Sequence, residues 1–236
     1  MKIKLEKKPK NPIIIQGFPG FGLIGTITTE FLIEHLNAVQ IGNFEYDELP
    51  ATLAIHEEKL VNPMAVFYDK KNNIVILHTI LNTAGAEWKL AEEILDMAKE
   101  LEAKEIINLE GVSSPIMKTE ESRIFFYTGD NKTKEKLKSF KLEPLKESII
   151  MGVTAPILLR SKIPVTCLFA ETHSQLPDSK ASAKLIEAID KYLELDVDYK
   201  PLLKQAQEFE DKLKKIMQQT ETASKERDKK TLSYLG

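Results

Sequence analysis

Gly20, Gly22 and Gly25 spell G-x-G-x-x-G, after the apolar run Ile13-Ile14-Ile15 and before a helical pattern. Glycines so spaced let a backbone approach a pyrophosphate at a helix N-terminus, which would make residues 20–25 a nucleotide site. Three neighbours argue against that chemistry. Gly17-Phe18-Pro19 separates the strand from the first fingerprint glycine, and Phe18 and Phe21 place rings where a phosphate would lie. The acids about 20 residues on, Glu45 and Asp47, could reach a ribose, but such acids are common. The preferred reading is a strand-to-helix turn in which Gly17, Gly20, Gly22 and Gly25 are structural and let the helix pack closely on a sheet.

The second candidate chemistry is acid–base. Glu171, Thr172 and His173 follow the apolar run 163–169, and Glu110 ends another at 105–109. Two carboxylates and an imidazole at strand ends could serve a phosphorylase or hydrolase. Loops on any such sheet can hold the same residues, so the pattern alone does not make an enzyme. His35, His56, His78 and His173 are dispersed without metal-ligand spacing, and neither a metal nor a cofactor is expected. No G-x-S-x-G elbow, Walker lysine loop or H-E-x-x-H motif occurs. Cys167, alone in its apolar run, reads as an inert core thiol and suits a reducing cytosol.

The elements that must position these residues alternate. Strands are expected at 11–16, 39–44, 105–109, 123–127 and 163–169, and a hairpin at 64–68 and 74–81 around the polar turn 69–73. Helices are expected at 23–36, 87–101, 132–140 and 180–195. The second should turn Trp88, Ala91, Ile94 or Leu95, and Ala98 inward, and the last should start on Ser179 as N-cap. This interleaving predicts an α/β domain over residues 1–198 with a mixed, mainly parallel sheet flanked by helices.

Pro201 suits a helix start, and Leu202, Ala206, Phe209, Leu213 and Ile216 then recur in steps of four and three. An amphipathic helix is therefore expected over 199–220, either docked on its own domain or free for a partner. Residues 221–236 read as a flexible tail that ends on the apolar and aromatic tip Leu232-Ser233-Tyr234-Leu235-Gly236. A net charge of −3 gives no electrostatic case for nucleic acid or an anionic membrane. No signal peptide is expected at the N-terminus, and no run approaches the ~18 apolar residues of a membrane span.

Two blocks together resemble the proteasome-assembly chaperone family. The first is Gly17-Phe18-Pro19-Gly20-Phe21-Gly22-Leu23-Ile24-Gly25, similar to that family's G-x-P-G-x-G-L-V-G turn and including the proline that spoils the dinucleotide match. The second runs from Gly152-Val153 through Pro156-Ile157 and Arg160 to Leu168-Phe169-Ala170-Glu171-Thr172. It closes on Leu176-Pro177-Asp178-Ser179-Lys180-Ala181-Ser182-Ala183, with Ser179 where the family has a second proline. The resemblance spans most of residues 10–195, and the appended helix and tail look like archaeal members. It implies a nucleoside-phosphorylase-like fold without that enzyme's catalytic residues. It also implies a non-enzymatic, cytoplasmic homo-oligomer that assists assembly of the core (20S) proteasome or activates it without ATP. Such proteins engage α subunits through a C-terminal hydrophobic–tyrosine–any-residue motif. Here Tyr234 is third from the end and Ser233 precedes it, so docking through Tyr234, Leu235 and Gly236 departs from that pattern by one residue.

Overall fold

The computed structural model describes residues 1–47, 49, 51–56, 58–113, 122–172 and 176–197. The helix expected over 199–220, the tail at 221–236 and its tip Tyr234, Leu235 and Gly236 lie outside the described residues, as does His173.

The chain opens with β1 (Lys2–Leu5) and β2 (Ile13–Gly17), then a 3-10 turn at Phe21–Leu23 leading into α1 (Ile24–His35). β3 (Val39–Glu45) follows, then the small pair β4 (Ala54–His56) and β5 (Lys59–Val61), and the hairpin β6 (Met64–Asp69) and β7 (Ile74–Thr79). Next come α2 (Glu87–Glu100), β8 (Glu105–Ser113), β9 (Ile124–Thr128), α3 (Asn131–Ser139) and β10 (Glu143–Pro144). α4 (Thr154–Arg160), β11 (Val165–Thr172) and α5 (Ser179–Leu193) complete the described fold.

One mixed sheet runs β1-β3-β6-β7-β2-β8-β11-β9-β10. Its centre is parallel, β7 with β2, β2 with β8 and β8 with β11. The β6–β7 hairpin and β3 extend it antiparallel on one side, and β9 runs antiparallel to β11 on the other. The central strands are apolar on both faces because helices cover both. Ile15, Ile76, Ile107 and Leu168 face α1, α3 and α5, in a core closed by Leu32, Leu137 and Ile186. Ile14, Val75, Leu77 and Ile106 face the other way, towards Leu90, Ile94 and Ala98 of α2 and Ile157 of α4. Neighbouring residues in each strand thus serve opposite layers, as the period of two requires.

Several boundaries differ from the sequence reading for local reasons. β1 and α4 are additional elements: β1 is an edge strand of alternating Lys and apolar residues, and α4 is a single short helix entered from Gly152 at φ +70°. β8 continues past Leu109 to Ser113, because β11 pairs with it along that whole length. α5 takes its cap from Asp178, not Ser179: an Asp178 carboxylate oxygen accepts from the Ala181 amide at 3.0 Å, and Ser179 is the first helical residue. Trp88 does not turn inward. It is half exposed with the Arg160 guanidinium 4.6 Å above its ring, and Leu90 and Met97 take the buried face of α2 alongside Ala91, Ile94 and Ala98.

Candidate functional site

The glycine turn sits where β2 leaves the sheet, at the C-terminal edge of the parallel strands. An added Cβ on Gly17 would lie 2.2 Å from the Gly25 carbonyl oxygen, and one on Gly25 would lie 2.4 Å from that of Leu109. These two positions therefore let α1 cross β2 and β8 at backbone contact distance. Gly22 (φ +65°) and Leu23 (φ +48°) are both left-handed, a conformation that costs a non-glycine residue about 1–2 kcal/mol. Burial of Leu23 and a bond from its amide to the Gly20 carbonyl (3.0 Å) hold it there.

The two sequence blocks meet at this turn. The Gly22 carbonyl accepts from the Asp178 amide at 2.9 Å, and Thr172 donates its hydroxyl to the Asp178 carboxylate at 2.8 Å. Asp178 thus joins the glycine turn, the end of β11 and the start of α5. Gly20 stands apart, since a Cβ there would meet nothing within 4 Å.

Beside Gly20 opens a cavity of about 800 Å³, lined by the turn, the ends of β2, β7 and β8, and residues 148–153 before α4. Phe18, Phe21, Ile80, Val112, Met151 and Phe169 contribute apolar wall, and Gln16, Thr26 and Glu110 contribute polar atoms. No lysine, arginine or histidine is among the described residues that line it. Glu110 accepts a hydrogen bond from the Thr154 hydroxyl, and burial pushes its carboxyl up to about 7 against the opposing effect of that bond.

Glu110 and Glu171, the carboxylates expected at the strand ends, bond to different partners. Phe169 pairs with Glu110 in register, so Glu171 lies on the same sheet face one step further along β11. Its side chain is nevertheless 1% exposed and its two oxygens accept from Arg123 Nε and Nη2, each at 2.9 Å. Glu110 lines the cavity and Glu171 is drawn towards β9.

Two further groups fall elsewhere. His78 lies on the α1 face, with Nδ1 2.9 Å from Thr29 Oγ1 and Nε2 3.0 Å from Glu30 Oε2, which ties β7 to α1 outside the cavity. Cys167 is fully buried, its thiol pushed up to about 12 by that burial, as an unreactive core thiol should be. The sequence reading missed Gln16, Thr154 and Arg123. Gln16 had a legible signal, because it shares the parity of Ile14 and is the one amide side chain in an otherwise apolar strand.

Among the described residues no group of acids, histidines and cysteines could hold a metal ion, and no helix is long and apolar enough to cross a membrane.

A solved structure of Pyrococcus furiosus PbaA, an archaeal homologue of proteasome-assembly chaperone, superposes with a TM-score of 0.83 at 28% identity, covering 94% of this chain and 99% of that one. P. furiosus PbaB, an archaeal proteasome activator, shares the fold at TM-score 0.73 and 24% identity over 92% of this chain and 98% of its own. An uncharacterised protein of Methanocaldococcus jannaschii is 29% identical over 92% of this chain and 90% of its own length. The PAC2 family profile matches residues 14–217, so the match takes in both motif blocks. The chain belongs to the PAC2 family.

Proposed function

We propose that this protein is a non-enzymatic, homo-oligomeric, cytoplasmic partner of the core proteasome, acting as an assembly chaperone or an ATP-independent activator. The observation that carries this reading is the likeness to PbaA, which extends over nearly the whole of both chains. In this reading Gly17, Gly22 and Gly25 shape the fold, Gly20 stands beside them with open space at its Cα, and Tyr234, Leu235 and Gly236 dock into pockets between α subunits. An apolar side chain and a tyrosine ring suit such a pocket, and the terminal carboxylate suits a lysine within it. Several tails on one oligomer would add avidity that a single tail lacks. Exposed Trp88, Ile149, Met151 and Leu159, all in α2, α4 or the segment leading into α4, offer apolar surface for a second copy. The separate partners of Glu110 and Glu171 weigh against the acid–base reading. Phe18 and Phe21, which line the cavity beside Gly20, weigh against a nucleotide there.

The experiment is peptide hydrolysis by purified core proteasome without ATP, with the full chain or a chain ending at Ser233. Stimulation that vanishes with the last three residues supports an activator that docks through its tail. Stimulation that survives places the contact on the body of the protein. If neither chain stimulates, the activator form is lost, and reassembly of dissociated core subunits with and without the protein decides the chaperone form.

A further inference from the structure

Nothing in the proteasome reading uses the cavity beside Gly20, and one carboxyl in its wall is only half satisfied. Glu110, in β8, lines the cavity and is half-buried. Its Oε1 accepts from the Thr154 hydroxyl. Its Oε2 has no hydrogen-bond or ion-pair partner among the described residues. Nor is Oε2 one of the sealed side-chain atoms that lack a partner, which are Gln16 Oε1, Thr28 Oγ1 and Asn108 Oδ1. It therefore keeps accessible surface, on a residue that lines the cavity.

The contrast with Glu171 shows what Glu110 could accept. Glu171 is 1% exposed and has its own cation, with Arg123 bonded to both oxygens. Glu110 has the Thr154 hydroxyl instead, and burial pushes its carboxyl up to about 7. A positive group brought against Oε2 would favour the anion, and a charge-assisted bond of that kind is roughly twice as strong as a neutral one.

The surroundings indicate what should carry that charge. Phe21 and Ile80 are half-buried, Met151 is exposed, and all three line the cavity. An aromatic or aliphatic body can lie on such a wall. Phe169, the register partner of Glu110 on β11, also lines it, and a phenylalanine ring attracts a cation within about 6 Å of its face. About 800 Å³ is within the size range of sites that take small organic ligands.

We propose that the cavity binds a small organic amine, its ammonium paired with Glu110 Oε2 and its apolar body against Phe21, Ile80 and Met151. The site is independent of the C-terminal tail.

Benzylamine, a cation at pH 8, is the probe, and benzyl alcohol is its neutral counterpart of the same shape. The full-length protein is labelled at its methionine methyl groups, with Met151 assigned through Met151→Leu. At pH 8 benzylamine should shift the Met151 methyl resonance saturably, and benzyl alcohol should bind about tenfold more weakly. Glu110→Gln keeps the side-chain volume, removes the charge, and should weaken benzylamine to the level of benzyl alcohol. Circular dichroism melts establish that this variant folds, and if it does not, the two probes on the wild-type chain decide. A Met151 methyl that benzylamine does not move overturns the proposal. Equal binding of the two probes overturns it as well, as does equal binding of benzylamine to the wild-type chain and to folded Glu110→Gln.

Discussion

Glu110 is the residue where position and protonation are most closely linked. Its folded pKa of about 7 lies above the ordinary 4.5 because burial disfavours the anion. Between pH 4.5 and 7 the folded chain keeps a proton that the unfolded chain has released. Stability therefore falls as pH rises through that window and levels off above it. The decline attributable to Glu110 is about 3 kcal/mol at most, and less where the cavity admits water to the carboxylate. Glu105, also raised by burial, adds a decline of the same sign. Glu110→Gln should flatten part of the slope, read as urea-unfolding free energies at pH 5 and pH 8. An unchanged slope would mean that the carboxyl is solvated. Arg123 makes the opposite case, a charge whose loss strands another. Arg123→Met leaves the almost fully buried Glu171 carboxylate without its guanidinium and should be clearly destabilising. Glu171→Gln leaves an arginine that is about one-third exposed and can turn to water, so it should cost less. Urea titration of both variants checks the order, and equal losses would show that other groups compensate Glu171.

At the scale of elements, the close crossing of α1 over β2 and β8 sets the site. Gly25→Ala gains up to about 1 kcal/mol of helix propensity, but its new Cβ would lie 2.4 Å from the Leu109 carbonyl oxygen. Backbone cannot yield as a flexible side chain does, so the clash wins and the variant should lose about 2 kcal/mol or more. Gly20→Ala meets open space and should stay within about 0.5 kcal/mol of the parent. Similar melting temperatures for the two would refute the close-crossing argument. Sequence made much of this layer legible: the apolar runs at 13–15, 74–77 and 105–109 are central strands, and the glycine spacing announced a tight turn. What it could not supply depends on contacts across the chain. Trp88 looked inward by helical spacing and is turned out beside Arg160, seventy-two residues away in sequence. Asp178 displaced Ser179 as the cap because it also holds Thr172 and meets Gly22, a geometry that needs both blocks in place. The cavity was illegible for the same reason. Gln16, Glu110 and Met151 become neighbours only when β2, β8 and the segment before α4 close on one another.

At the scale of the whole molecule, the proposed docking joins the sheet domain to a tip whose register is off by one residue. A hydrophobic–tyrosine–any-residue terminus places one residue between the ring and the chain-end carboxylate, and here two follow Tyr234. The extra residue can move the carboxylate by up to about 3.5 Å relative to the ring. If ring and carboxylate must both be seated, as the family resemblance implies, a tail that ends two residues after Tyr234 satisfies only one of them well. Removing Gly236 alone makes Tyr234 penultimate and should strengthen stimulation of peptide hydrolysis. Removing Tyr234, Leu235 and Gly236 should abolish it. Ser233 still precedes the tyrosine in the shorter chain, so the gain from register should be modest, about two- to tenfold in the concentration giving half-maximal stimulation. Titrating all three chains against one preparation of core proteasome separates the possibilities. A stronger chain ending at Leu235 shows that the carboxylate limits docking, whereas a weaker one shows that Gly236 belongs to the seated tip.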